Sequence, residues 1–269
     1  MPFQRVNGIQ IYYEEQGGGD PVLLIQGLGY PSGMWFLQIP DLSQHFRTII
    51  FDNRGVGRSD KPDEEYFVSL MASDAIELLR ALGIGKAHLV GISLGGYIAQ
   101  EMCLQQPDRV DRLVLMATTC GGPEYLELTK DLWNATAALR ILPADEMIRK
   151  GMALAAAPGF AQRRPELIEW GVRVRLENLQ PLYALNRQAS AAYLFDSKGR
   201  AHLIRCPTLI LAGAQDRVMP PELTRVLARI IPKARLKVYP DAGHLLFLEK
   251  AQEINQEIID FLRGGNEGD

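Results

Sequence analysis

Short, continuously apolar runs recur along this chain, and most are followed by a stretch that suits a helix. The runs are "PVLLIQ", "RTIIFD", "AHLVGI" and "RLVLMA" in the first half, then "PTLILAG" and "ARLKVYP" near the end. A strand that is apolar on both sides of its pleat must be covered on both faces. Helices alternating with such strands supply that cover, so the pattern calls for an α/β architecture around a mostly parallel sheet. The spacing predicts helices near 34–46, 68–82, 95–106, 220–231 and 245–263. The opening differs: "FQRV" and "IQIYYEE" flank Asn7-Gly8, a dipeptide suited to the positive φ angles of a tight hairpin turn. A Gly17-Gly18-Gly19 linker then leads into the alternating pattern.

The rhythm lapses between about 122 and 200, where no run reads as a strand. Pro123, Pro143, Pro165 and Pro181 each open a helix-compatible run there. Proline at the first helical position gives up no needed N–H and presets φ. Leu128, Leu132, Ala135 and Leu139 share one helical face. The expected organisation is a core domain of residues 1–121 and 201–269, with 122–200 as a helical cap inserted into it.

At 47% hydrophobic and 23% charged residues, the chain has the balance of a packed globular protein. Its 29 basic residues face 32 acidic ones without a like-charge block, so it lacks the basic face that phosphate binding needs. Nucleic acid is not an expected partner. No apolar run approaches the ~18 residues of a membrane span, and the first residues lack the order of a signal peptide. The expectation is no membrane partner and a cytoplasmic setting. Cys103, Cys120 and Cys206 are odd in number and widely spaced, which fits buried thiols rather than a disulfide framework or a metal site.

One junction in this frame carries chemistry. In "AHLVGISLGGYIAQE" an apolar strand meets a helix-compatible stretch at Gly91-Ile92-Ser93-Leu94-Gly95-Gly96. A G-x-S-x-G pattern is common by chance and informative only when a strand precedes it and a helix follows, as here. Small neighbours then allow a strained turn that exposes the Ser93 hydroxyl, and the Leu94 N–H at the helix start can receive an oxyanion. The plain alternative makes Ser93 an N-cap.

A serine nucleophile needs a base. His45, His88 and His202 read as surface or packing residues. His244, in "YPDAGHLLFLE", follows a strand and precedes the last helix, and Asp216, in "TLILAGAQDRVMPPE", also follows a strand. The carboxyl ends of parallel strands share one edge of the sheet, so Ser93, Asp216 and His244 should converge there. Their order along the chain is that of a Ser…Asp…His triad.

Together "GISLGG", "GAQDRVMPPE", "DAGHLLFLE" and "FDNRGVGRSD" resemble the α/β-hydrolase superfamily over nearly the whole chain. Within it, "QGLGYPSGMW", "GISLGGYIAQE" and the helical insertion are most similar to the small carboxylesterase and 3-oxoadipate enol-lactonase group. The resemblance implies hydrolysis of a small-molecule carboxylic ester or lactone through an acyl-enzyme on Ser93, with no metal and no organic cofactor. It also implies a second oxyanion donor, the backbone N–H of Leu28. Gln26-Gly27 stands where the family has His-Gly, and a backbone donor does not depend on that histidine.

Two other readings use the same residues. A dinucleotide site would draw on Gly27, Gly29, Gly33 and Asp52, but its third glycine should fall at Ser32, and Pro31 interrupts the turn. No tyrosine is followed four residues later by lysine, as a short-chain dehydrogenase requires. A non-catalytic or very slow receptor on the hydrolase fold would keep the same residues. Trp35, Trp133, Trp170, Tyr183 and Phe195 are candidates to line a pocket, and Arg187 reads as a surface arginine.

Overall fold

The computed structural model describes residues 2–264. Eight strands form one sheet: β1 (Phe3–Val6), β2 (Ile9–Gln16), β3 (Pro21–Ile25), β4 (Arg47–Phe51), β5 (Ala87–Ile92), β6 (Val110–Met116), β7 (Thr208–Gly213) and β8 (Ala234–Tyr239). Their spatial order is β1-β2-β4-β3-β5-β6-β7-β8. β1 and β2 pair antiparallel across the expected hairpin, where Asn7 (φ 46°) and Gly8 (φ 84°) form the turn inside the Val6–Ile9 pair. β2 also joins β4 antiparallel, and every pairing from β4 to β8 is parallel.

The apolar runs are buried as their pattern demands except in β8, the edge strand, where Arg235 and Lys237 are exposed and only Tyr239 is fully buried. In β3, Leu23 and Ile25 enter one hydrophobic cluster while Val22 and Leu24 enter the other, because successive side chains leave opposite faces of a strand. One face is covered by α2 (Val68–Ala81), α3 (Leu94–Gln105) and α9 (Pro221–Ile230). The other is covered by α1 (Ile39–Leu42), α10 (Leu246–Glu249) and α11 (Ala251–Leu262).

Two expected helices are broken. In place of one helix over 34–46 there is a 3-10 turn at Ser32–Trp35 and then the four-residue α1. Pro40 cannot donate to the preceding turn, so a helix must restart around it. The last helix divides at Lys250, whose φ and ψ of −132° and 35° separate α10 from α11.

Between β6 and β7 stand α4 (Pro123–Ala138), α5 (Ala144–Ala155), α6 (Phe160–Arg163), α7 (Pro165–Glu177) and α8 (Leu182–Leu194). Pro123 and Pro165 take the first helical position, whereas Pro143 and Pro181 stand one residue ahead of theirs. The two ends of this insertion meet in a bridge between Gly121 and Asp196. Leu132 on α4 and Leu139 just beyond its end line a cavity, but Leu128 and Ala135 are exposed, so the expected apolar face is only partly used. No helix of the described residues is long and apolar enough to cross a membrane. Cys103 and Cys120 are buried, while Cys206 is half-buried with its thiol against that of Cys103.

Candidate active site

Ser93 joins β5 to α3 with φ 56° and ψ −122°, a conformation that L-residues avoid. Such a backbone costs about 1–3 kcal/mol and persists only where its surroundings impose it. Here the Ser93 N–H donates to Met116 O at 3.0 Å, and its carbonyl accepts from Thr118 Oγ1 at 3.0 Å. A Cβ on Gly95 would collide with the carbonyl of Ile25, so only glycine lets α3 approach β3 this closely. The Ser93 side chain makes no capping hydrogen bond, which disposes of the N-cap alternative. Leu94 is the first residue of α3, where a backbone N–H has no acceptor within the helix.

Asp216 and His244 leave the ends of β7 and β8 on the same edge. Oδ1 of Asp216 accepts from the N–H groups of Val218 and Met219, each at 2.8 Å, and Oδ2 lies 2.9 Å from His244 Nδ1. Only 4% of Asp216 is exposed, against 8% for Ser93 and for His244. The carboxylate is thus held in one orientation and shielded, while Ser93 and His244 open onto a shared cavity of about 190 Å³. Gln26, Gly27 and Leu28 line the same cavity beside Ser93.

The inserted helices fasten this edge at two points that sequence reasoning missed. The His244 N–H donates to Ala155 O at the end of α5 at 2.9 Å. Glu249 Oε2 accepts from Gly243 N at 2.9 Å and Ala157 N at 3.3 Å, tying the histidine loop to that helix end. Burial raises the Glu249 pKa above the ordinary carboxylate value. On α8, the buried Gln188 accepts from Gly29 N–H at 3.0 Å and donates to Arg54 O at 2.8 Å, which steadies the loop carrying Leu28. Glu249 closes the "DAGHLLFLE" stretch and Gln188 lies in no motif, but nothing in the local pattern of either marks its distant partners.

The cavity wall differs from the sequence candidates. Of the five aromatic residues only Trp133 lines it. Trp35 is packed against Phe247, with ring centroids 5.6 Å apart, and Trp170 against Phe36 at 4.7 Å. Phe195 stacks on Tyr97 at 4.3 Å, and the exposed Tyr183 donates to Lys61 O. Most of the wall is aliphatic, with Leu28, Leu132, Met147, Leu154, Leu185 and Val218 prominent. Arg187 pairs with Asp63 at 3.2 Å, at the surface as expected. His45 and His202 are exposed and His88 is buried in packing, all three away from the cavity. Asp52 accepts from the N–H groups of Ser32 at 2.6 Å and Arg58 at 2.7 Å, so it braces its own loop rather than awaiting a ribose.

Residues 20–251 match the family model of the alpha/beta hydrolase fold. The chain belongs to the α/β-hydrolase fold family. A poly(3-hydroxyalkanoate) depolymerase from Ectopseudomonas oleovorans is 32% identical over 244 residues, covering 90% of this chain and 84% of that protein. Among solved structures, the enol-lactonase from Burkholderia xenovorans LB400 superposes with a TM-score of 0.85 at 26% identity, covering 97% of this chain and 100% of that one. A thermophilic esterase from Thermogutta terrifontis does so with a TM-score of 0.84 at 30% identity, covering 98% and 97%. In this α/β hydrolase, the strand ends that carry Ser93, Asp216 and His244 form the floor of the cavity, and α4, α5, α7 and α8 form much of its wall.

Proposed function

We propose that this hydrolase cleaves small carboxylic esters or lactones through an acyl-enzyme on Ser93. The observation that carries the reading is the Asp216–His244 hydrogen bond of 2.9 Å, opening onto the cavity that also holds the strained Ser93. His244 takes the proton of the Ser93 hydroxyl as the oxygen attacks the carbonyl carbon. Asp216 holds Nδ1–H, so that Nε2 faces the serine, and stabilises the imidazolium that forms. The N–H groups of Leu28 and Leu94 receive the developing oxyanion. The alcohol leaves with the proton from His244, and water, activated by the same imidazole, releases the acid. Residues 122–200 act as the cap, closing the cavity with aliphatic side chains and setting which substrates fit.

The similarity to an enol-lactonase, an esterase and a poly(3-hydroxyalkanoate) depolymerase supports an ester or lactone bond as the target. The test is a panel of nitrophenyl esters of increasing acyl length, with lactones, together with labelling by a fluorophosphonate. The parent should hydrolyse members of the panel and carry the label on Ser93, while Ser93→Ala does neither. A folded Ser93→Ala protein that keeps the parent's rate would end the assignment.

A further inference from the structure

Two of the three cysteines, distant in sequence, meet on the face of the sheet that α3 covers. Cys103 is buried in α3, and Cys206 stands half-buried just ahead of β7. The turn Ala201–Leu203 packs on α3 and delivers the Cys206 segment to it. There Cys206 packs against the hydrophobic cluster that holds Cys103, and the two thiols share a hydrogen bond. The backbone around Cys206 is anchored: Thr208 Oγ1 donates to Cys206 O at 3.0 Å, and Leu113 N–H donates to Pro207 O at 3.0 Å. A disulfide needs its sulfurs ~2.05 Å apart, a short movement for side chains already in hydrogen-bond contact.

The two thiols are not equivalent. Cys206 reaches solvent, whereas Cys103 is 3% exposed. The hydrogen bond from Cys103 holds the Cys206 thiol below its ordinary pKa. The same bond, together with burial, keeps Cys103 protonated and well above its own. The thiolate is the form that attacks a peroxide, and solvent access decides which thiolate meets one. Cys120 offers the contrast, for burial pushes its thiol up to about 11 and its neighbour is the Ser197 hydroxyl rather than a second sulfur.

We propose that this pair is a peroxide-reactive site, in which hydrogen peroxide oxidises Cys206 and Cys103 resolves the product to an intramolecular disulfide. The Cys206 sulfur attacks one peroxide oxygen and the O–O bond breaks. The departing hydroxide takes the proton that Cys206 gave up and leaves as water. The Cys103 sulfur then displaces the hydroxyl of the sulfenic acid, which leaves as water with the Cys103 proton. Two thiols lose two electrons and one peroxide becomes two waters. Neither cysteine lines the Ser93 cavity. Cys103 lies ten residues beyond Ser93, about 15 Å along α3. The new bond therefore ties α3 to the start of β7 away from the cavity. It closes the chain from residue 103 to residue 206, and a long closed loop restricts the unfolded chain most. Oxidation should make the protein harder to unfold.

The test exposes the full chain to hydrogen peroxide, maps its cysteines by mass spectrometry of peptides, and follows its melting temperature. The peptides of Cys103 and Cys206 should be joined within a monomer, both thiols being lost together and restored by dithiothreitol, while Cys120 stays reduced. The oxidised protein should melt about 5 °C higher before dithiothreitol than after it, a comparison that methionine oxidation does not disturb. In Cys103→Ala, dimedone should capture a sulfenic acid on Cys206. If that variant does not fold, dimedone present while the parent is oxidised must capture Cys206 and never Cys103. In Cys206→Ser, Cys103 should remain a thiol. A parent whose Cys206 passes to sulfinic acid beside an intact Cys103 thiol overturns the proposal. So does a disulfide between two chains, or a Cys206→Ser protein that loses its Cys103 thiol as fast as the parent. A linked monomer that melts no higher than its reduced form overturns the stabilising role assigned to the bond.

Discussion

At Ser93 the backbone angles of 56° and −122° are those of the first central residue in a type II′ turn, a position glycine fills without strain. Ser93→Gly should therefore abolish turnover and yet raise stability by about 1 kcal/mol, the relieved strain less the entropy cost of glycine. Denaturant melts beside ester assays check this; a variant less stable than the parent would mean that the serine side chain contributes more than its strain costs. Asp216 allows a sharper prediction. Its Oδ1 is already committed to the N–H groups of Val218 and Met219. In Asp216→Asn the amide oxygen must take that place, which turns the NH2 toward His244 Nδ1 and enforces the wrong tautomer. kcat should fall by about 10⁴-fold with the fold intact, measured by steady-state kinetics and melting temperature.

Among the elements, the end of α5 and the histidine loop share one half-buried carboxylate, that of Glu249. The folded pKa of Glu249 lies above its ordinary value, and the unfolded value is about 4.3. The folded state therefore binds this proton more tightly than the unfolded chain does. The resulting stability is fully present below the unfolded pKa and is lost as pH rises through the folded one. Glu249→Gln carries no charge and escapes that loss. Its melting temperature should thus gain on the parent's as pH rises from about 4 to about 7, whatever the offset between them at the start. Parallel curves across that window would place the titration of Glu249 at its ordinary value. On α8, Gln188→Leu would leave Gly29 N–H and Arg54 O unpaired inside the protein, at a cost of about 1–3 kcal/mol. Chemical denaturation measures that loss, and a loosened Leu28 loop should also lower kcat.

Over the whole molecule, the proposed function assigns chemistry to the sheet edge and fit to the inserted helices. Trp133 lines the cavity, whereas Trp170 packs against Phe36 outside it. Substitutions at Trp133 should accordingly shift the preferred acyl length through kcat/KM, and equally stable substitutions at Trp170 should not. Rates across an ester series decide between them. Unchanged preferences at Trp133 would move the specificity determinant to the loop around Leu28.

How much of this was legible in the chain depends on the range of the interaction involved. Strand positions followed from continuous apolar runs, because burial on both faces leaves no room for polar alternation. The Asn7-Gly8 hairpin and the turn at Ser93 were local: each needs a few consecutive residues with particular freedom in φ. The convergence of Ser93, Asp216 and His244 was readable because parallel strands bring their carboxyl ends to one edge, whatever the residues between them. Helix breaks at Pro40 and Lys250 were lost in an otherwise helix-compatible pattern. What only the tertiary structure decided was how the insertion docks. Side-chain pairing across 159 residues, as between Gly29 and Gln188, leaves no periodic trace in either segment. Nor does any pattern tell that Trp133 turns into the cavity while Trp35 and Phe195 turn into the core. Arg175 looks like any other cation on a helix until the fold sets it, half-buried, over the Tyr30 ring at the cavity wall. Local propensity and strand burial act through neighbours in sequence, whereas the shape and charge of the cavity arise from contacts that exist only once the chain has closed on itself.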